Sequence, residues 1–511
     1  MSKRNLLRIV IVIGAIAAFA YAQFRPSAHQ SDRVLAAPIP ANASAFTLGQ
    51  FHFKACQLPQ KSSGATTSAF CAPFSVPENR ADPKSRMLNL RMALIKSREV
   101  KADSDIVVYL AGGPGQSAVN SWPQIAGALE PLRRHHHILL LDQRGTGESH
   151  PLTCKSAKGD AVEDRFDLGQ LRVRVKNCLA EVEKKSDPRF YTTTEATRDL
   201  EDVRLALGAP LFDLVGVSYG TRMAQQYAMH YPNSVRSIVL DSVVPNQLVL
   251  GEEFAENLHR ALKAQFKLCQ DTPDCAGTFG DPYASLMQLR DKLQVAPEDF
   301  SYRDPVTFEK RRMLLNQYTL AGLVRMFAYT PETAALLPLS ISEGIKGDYR
   351  PLAGQTRLIE GDLADLQENG MQMSVICSED ADLLTPRPQD ANLLLGTTMI
   401  QSLKAACDVW PHGTRPANFH EPLKTATPAL ILEGQLDPVT PPRYGREVLK
   451  GLSNGHLIIA KGMGHNVIGR GCIPKLVEEF VDKLDPGTLN AKCVDRIGPI
   501  PAYINFNGAA P

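Results

Sequence analysis

Three residues far apart in the chain have the types and surroundings that acyl transfer needs: Ser218, Asp437 and His465. Ser218 lies in Gly216-Val217-Ser218-Tyr219-Gly220, a GxSxG pattern. Short patterns recur by chance, so the setting carries the meaning. The apolar stretch Phe212–Val217 precedes this one and TRMAQQYA follows it, which is the strand–turn–helix arrangement of a nucleophile elbow. Glycine is needed on both sides of so sharp a turn, because a side chain there would collide with the neighbouring strand or helix. A serine hydroxyl is a poor nucleophile at neutral pH and needs a base, a role suited to histidine. Of twelve histidines, His465 stands in a glycine-rich loop, KGMGH, after the apolar run HLIIA. An acid that fixes the imidazole tautomer should precede it, in the chain order Ser, Asp or Glu, His. Asp437 does so in GQLDP, just after the run ALILE; Glu433 is the second choice, because it lies within the strand end. Ala111-Gly112-Gly113-Pro114-Gly115 follows the run IVVYL. Its glycines let backbone N–H groups approach a developing oxyanion, with Gly113 and Tyr219 as the two expected donors.

These residues must be carried by a scaffold that brings distant loops to one edge. The segments Ile106–Leu110, 138–141 and Phe212–Val217 are short apolar runs that each end in a glycine-containing turn, as parallel strands covered on both faces do. Runs at 238–241 and 429–433 have the same character. Helical spacing marks 195–207, with Ala196, Leu200, Val203 and Leu207 on one face, and 221–230. The alternation predicts an α/β fold with a mainly parallel sheet flanked by helices. From about 245 to 420 helical periodicity dominates, with amphipathic stretches at 252–268 and 314–329. The strand at 429 resumes the earlier pattern, so this segment reads as a helical cap inserted between two halves of one sheet, the alternative being a separate domain with its own core. The expected division is a signal peptide at 1–22, a linker at 23–47, the first half of the core at 48–245, the cap at 246–420, the second half at 421–495 and a tail at 496–511.

Other chemistry-bearing residues read as structural. His135, His136 and His137 form a tract, but adjacent side chains point in different directions and lack acidic or cysteine partners at ligand spacing, so no metal is expected. Asp142-Gln143-Arg144-Gly145-Thr146-Gly147 contains GxG without the further glycine of a dinucleotide site, and a structural turn near the active site fits better.

Composition agrees with a globular protein: 511 residues, 44% hydrophobic and 22% charged, with a formal net charge of +2 that argues against nucleic acid or an anionic membrane surface as partner. The chain opens with Lys3, Arg4 and Arg8, then an uncharged apolar run ending in Ala20-Tyr21-Ala22, the pattern of a cleavable export signal. Ten cysteines in an exported protein read as disulfides. Short loops favour Cys56–Cys71, Cys154–Cys178, Cys269–Cys275, Cys377–Cys407 and Cys472–Cys493, though spacing alone does not determine connectivity. A secreted or periplasmic location follows.

The motifs LAGGPG (110–115), LLLDQRGTGES (139–149), GVSYGTRMAQQYAMHYP (216–232), GMQMSVICSED (370–380), EGQLDPVTPPRYG (433–445) and GMGHNVIGRGC (462–472) together resemble one family. It comprises the α/β-hydrolase peptidases that include proline iminopeptidases and secreted tripeptidyl aminopeptidases, with their TAP-like C-terminal region. The resemblance runs from about residue 51 to 493. It implies an α/β-hydrolase fold and a serine exopeptidase that removes one or a few residues from a free peptide N-terminus, without a metal or organic cofactor. It also implies that a carboxylate in the cap region holds the substrate's amino group; the matching position is Glu379, with Asp380 beside it. A surface acid or a helix N-cap is the plainer reading of Glu379. Ala111 departs from the family, many members of which have His before GGPG. A carboxylesterase or other small-ester hydrolase is the alternative function, since the same three side chains serve both.

Overall fold

The computed structural model describes residues 44–59, 66–99, 105–154, 167–364 and 367–509. The expected signal peptide, most of the linker and the last two residues of the tail lie outside them.

Apolar β-rich runs become strands where both faces can be covered. Ten form one sheet: β1 (Ala45–Leu48), β2 (Phe51–Pro59), β3 (Thr66–Pro77), β4 (Met87–Ile95), β5 (Ile106–Leu110), β6 (His137–Leu141), β7 (Phe212–Val217), β8 (Val235–Asp241), β11 (Ala429–Gly434) and β12 (Gly455–Ala460). Their spatial order is β1-β2-β3-β4-β6-β5-β7-β8-β11-β12. The pairings from β6 to β12 are parallel, and β1 to β4 join β6 through antiparallel pairings. The four antiparallel strands are not expected from the sequence. Polar residues interrupt their apolar runs, as Asn89 and Arg91 do in β4, so they lack the unbroken run that marks a buried parallel strand.

Successive residues of a strand face opposite sides. Ile106, Val108 and Leu110 join one buried cluster, with Phe212 and Leu214, while Val107, Tyr109, Val215 and Val217 join another. The sheet is thus buried on both faces, and its loops meet at the ends where β7, β8, β11 and β12 stop.

Between β8 and β11 the chain is mostly helical. Leu258, Leu262, Phe266, Leu289, Leu320, Val324 and Phe327 form a third cluster there. An antiparallel hairpin, β9 (Glu298–Arg303) with β10 (Lys310–Leu315), interrupts the helices. It shortens the helix expected at 314–329: residues 314 and 315 pair within β10, and Asn316 then caps the helix by accepting from the N–H groups of Tyr318 and Thr319. Further along, Met371, Val375, Ile376 and Trp410 pack on the sheet's own core. Four helices bear on the site: α1 (Thr193–Leu207), α2 (Tyr219–His230), α3 (Gln317–Phe327) and α4 (Asn369–Glu379). All five cysteine pairs favoured by loop length are disulfide-bonded.

Candidate active site

Strand β7 stops at Val217 and α2 starts at Tyr219, so Ser218 alone makes the turn. Its backbone takes φ +55° and ψ −124°, a conformation that a non-glycine residue holds only when its surroundings impose it. The flanking glycines have no alternative. A Cβ on Gly216 would stand 2.5 Å from the Gly220 carbonyl oxygen, and one on Gly220 would run into the carbonyl oxygen of Leu110.

The structure brings all three expected side chains together. His465 Nε2 lies 3.0 Å from Ser218 Oγ, and His465 Nδ1 lies 2.7 Å from Asp437 Oδ2. A carboxylate on Nδ1 holds the proton there and leaves the Nε2 lone pair facing the hydroxyl. Asp437 Oδ1 accepts from the N–H groups of Val439 (2.7 Å) and Thr440 (2.8 Å), and Thr440 Oγ1 donates to Oδ2 (2.9 Å). The carboxylate therefore cannot swing away from the imidazole. Thr440 is not among the residues singled out by sequence, although Asp-Pro-Val-Thr spells an Asp whose side chain can accept from backbone groups two and three residues on. On the other side, the helical insertion touches the base: His465 N–H donates to Tyr329 O at 2.7 Å, and the two rings meet edge to face at 5.1 Å, just past α3.

Two more buried carboxyl groups lie nearby. Asp241, at the end of β8, accepts from Val467 N (2.9 Å) and Ile468 N (3.0 Å), and burial pushes it up to about 6. Glu433 accepts from Val243 N at 3.3 Å, and its Oε2 has no partner among the described residues. Burial, with Asp437 and Asp241 close by, raises its pKa well above the ordinary value and so favours its protonated form. A neutral carboxyl is a poor tautomer anchor, and the place beside His465 Nδ1 is taken by Asp437.

Gly112 brings its backbone against the nucleophile: a Cβ there would stand 3.1 Å from Ser218 Cβ. Gly113 follows at φ +111°. Tyr219 opens α2, where the helix geometry leaves the N–H without an intrahelical acceptor. Behind this loop, the buried Asp142 accepts from Ser117 Oγ (2.6 Å) and Val119 N (3.0 Å), so the segment read as a structural turn braces the glycine loop. Burial pushes Asp142 up to about 6.

Glu379 is neither a surface acid nor the N-cap of its own helix. It closes α4, fully buried; Oε1 accepts from Thr193 N (2.6 Å) and Oε2 from Thr193 Oγ1 (2.9 Å). Thr193 opens α1, and its hydroxyl reaches Tyr219 OH at 2.6 Å. One residue thus separates Glu379 from the neighbour of the nucleophile. Burial pushes its carboxyl up to about 8 against the pull of Arg222. Asp380, next in sequence, pairs with the buried Arg222 at 3.0 Å.

The histidine tract behaves differently from its sequence spacing. Folding supplies the acidic partners it lacks locally, because Asp105, His136 and Asp213 bring candidate ligand atoms within 4.8 Å of one another. Arg236 occupies those carboxylates, however, reaching Asp213 at 2.8 Å and Asp105 at 3.3 Å, so a cation already bridges them. The cluster lies where β5 and β7 begin, at the opposite end of the sheet from Ser218. A cavity of about 410 Å³ opens behind α4, lined by residues including His412, Arg415 and His420, and none of Ser218, Asp437 and His465 lines it.

Comparison with known proteins agrees with this geometry. Residues 105–286 match the model of the α/β-hydrolase fold family, and residues 391–493 match that of TAP-like proteins. The tripeptidyl aminopeptidase of Streptomyces coelicolor is 24% identical over 470 residues, 84% of each chain. The serine protease Hip1 of Mycobacterium tuberculosis is 23% identical over 466 residues, 83% of this chain and 87% of that one. A putative hydrolase of Escherichia coli, YuaR, is 28% identical over 286 residues, and the match spans 56% of its length. Among solved structures, the proline iminopeptidase of Mycobacterium smegmatis aligns over 81% of this chain and 98% of its own, at 13% identity and a TM-score of 0.38, a score at which the likeness carries no argument. With a sheet of this order, an elbow at Ser218 and two matched family models, the chain has the α/β-hydrolase fold, and its C-terminal part is similar to TAP-like proteins.

Proposed function

We propose that the chain is a serine exopeptidase that hydrolyses peptide bonds near a free N-terminus through an acyl-enzyme on Ser218. The observation that carries this reading is the run of contacts from Asp437 through His465 to Ser218, at 2.7 and 3.0 Å. His465 takes the Ser218 proton as Oγ attacks the amide carbonyl, and the N–H groups of Gly113 and Tyr219 hold the oxyanion. His465 then protonates the leaving amine, and water repeats the sequence on the ester. The choice of peptides over simple esters draws on likeness to tripeptidyl aminopeptidase along most of both chains.

Glu379 is the group we assign to the substrate's ammonium, which would exchange one of the two Thr193 contacts for a charge-assisted bond. The charge of a bound ammonium favours the ionised carboxylate, so the carboxyl would release its proton to solvent as the cation binds. Five disulfides support an oxidising compartment outside the cytosol, and among the described residues no helix is long and apolar enough to cross a membrane.

The test compares turnover of free and N-acetylated peptide amides with that of simple esters. Free amides should be preferred, and Glu379→Gln should raise KM for them more than for esters. Turnover of esters alone would refute the peptidase reading, and equal effects on both substrates would remove Glu379 from amine binding.

A further inference from the structure

The loop that carries the base and the turn that carries the nucleophile come from distant parts of the chain, and something must hold them in register. Asp241 and Ser242, at the end of β8 and just past it, touch both. The N–H of Ser218 donates to Asp241 O at 2.9 Å. Three successive amides just past His465 donate to the same two residues: Asn466 N to Ser242 Oγ at 2.8 Å, Val467 N to Asp241 Oδ1 at 2.9 Å, and Ile468 N to Asp241 Oδ2 at 3.0 Å. The N–H of Ser242 then donates to Leu432 O on β11, the strand that leads to Asp437. Both Ser242 (φ +59°) and Asn466 (φ +67°) hold left-handed backbones, a cost that neither would bear without mutual support.

We infer that Asp241 and Ser242 form a clasp that fixes the spacing between Ser218 and His465, which makes Asp241 a positioning residue for the reaction. The inference rests on the reading of Ser218, His465 and Asp437 given above. Asp241 touches no reacting atom. Its carboxylate acts on two backbone amides that converge where water cannot reach, and only the ionised form accepts from both without conflict.

The groups around Asp241 set how that charge is held. His465 and the two amides favour the ionised form, whereas burial and Asp437 oppose it. Tyr109 on β5 and Glu433 on β11 also face it; burial raises the pKa of both and so favours their neutral forms. Protonation therefore falls near pH 6, where it would loosen the histidine loop. On the acid side this ionisation should add its own loss of activity to the one that comes from protonating the base.

The experiment uses the full chain, with turnover of an N-terminally free peptide anilide, labelling by a fluorophosphonate, and thermal melting of wild type, Asp241→Asn and Ser242→Ala. Asp241→Asn replaces one acceptor with an NH₂ that opposes a backbone N–H. It should lower kcat by roughly 10²-fold, the loss typical of a misplacement of about 1 Å, with KM nearly unchanged. Its acid limb should become shallower by one ionisation, which a purely structural defect would not produce. Ser242→Ala should lower kcat by about tenfold with the melting temperature nearly unchanged, in line with the loss of one hydrogen bond. The inference fails if folded Asp241→Asn turns over at close to the wild-type rate with an unaltered acid limb. Should that variant not fold, an undiminished kcat in Ser242→Ala overturns the clasp. If wild type itself resists the fluorophosphonate, the reading of Ser218 falls, and the clasp with it.

Discussion

The two ends of the central strands each hold a histidine close to a buried carboxylate, in opposite electrostatic settings. At the end where β5 and β7 begin, His136 sits near Asp105 and Asp213, with Arg236 reaching both carboxylates and Ser237 Oγ donating to Asp213 at 2.5 Å. At the end where β7, β8 and β11 stop, Asp241 and Asp437 are held by backbone N–H groups and a hydroxyl, with no arginine or lysine in contact among the described residues. A fixed cation satisfies a carboxylate completely and leaves it nothing to offer. Backbone donors satisfy it in part and leave its charge free to stabilise an imidazolium that forms and disappears. A carboxylate whose counter-charge must come from the histidine itself suits the role proposed for Asp437 beside His465, and one already held by an arginine does not.

The contrast can be broken most severely at the active end. Asp437→Asn preserves shape but presents an amide to Nδ1, which favours the wrong tautomer; kcat should fall by up to ~10⁴ with KM nearly intact. Steady-state kinetics on a folded variant checks this, and an unchanged rate would remove Asp437 from its assigned role. The opposite end should fail in stability rather than rate. Arg236→Met strands the buried Asp213 without its cation and should cost about 3 kcal/mol of unfolding free energy while kcat stays at the wild-type level. Denaturant unfolding beside kinetics separates the two effects; a large fall in kcat at equal stability would contradict the division of labour drawn above.

The smallest effect is expected at Glu433. Its folded-state pKa lies above the ordinary 4.5, so the folded protein holds a proton that the unfolded chain releases, and stability declines as pH rises past that value. Glu433→Gln keeps the neutral shape and removes the proton linkage. The variant should match wild type in kcat and melt higher than wild type at pH 8, with the difference shrinking toward pH 5. A variant that loses most of its activity would show that Glu433 is needed as an ion.

Much of this site is legible in the residue order alone. Ser218 is recognisable because a nucleophile elbow is a local device: the strand, the two glycines and the helix that impose its strained backbone are contiguous in sequence. Asp437 and His465 can be chosen because each follows its own apolar run, β11 and β12, so loop position substitutes for geometry. The cysteine pairs, separated by 6 to 30 residues, are likewise readable from loop length.

What tertiary structure alone decided is the company each residue keeps. Asp241 is the last residue of an ordinary strand by pattern, and only the fold lays the loop after His465 across its carboxylate. Glu379 could pass for a surface acid until α1 places Thr193 on both its oxygens, and Glu433 could pass for an anchoring acid until burial turns against its charge. Local sequence determines backbone conformation, because φ and ψ depend on near neighbours. Charge state and hydrogen-bond partners depend on desolvation and on groups hundreds of residues distant, and these exist only once the chain has closed on itself.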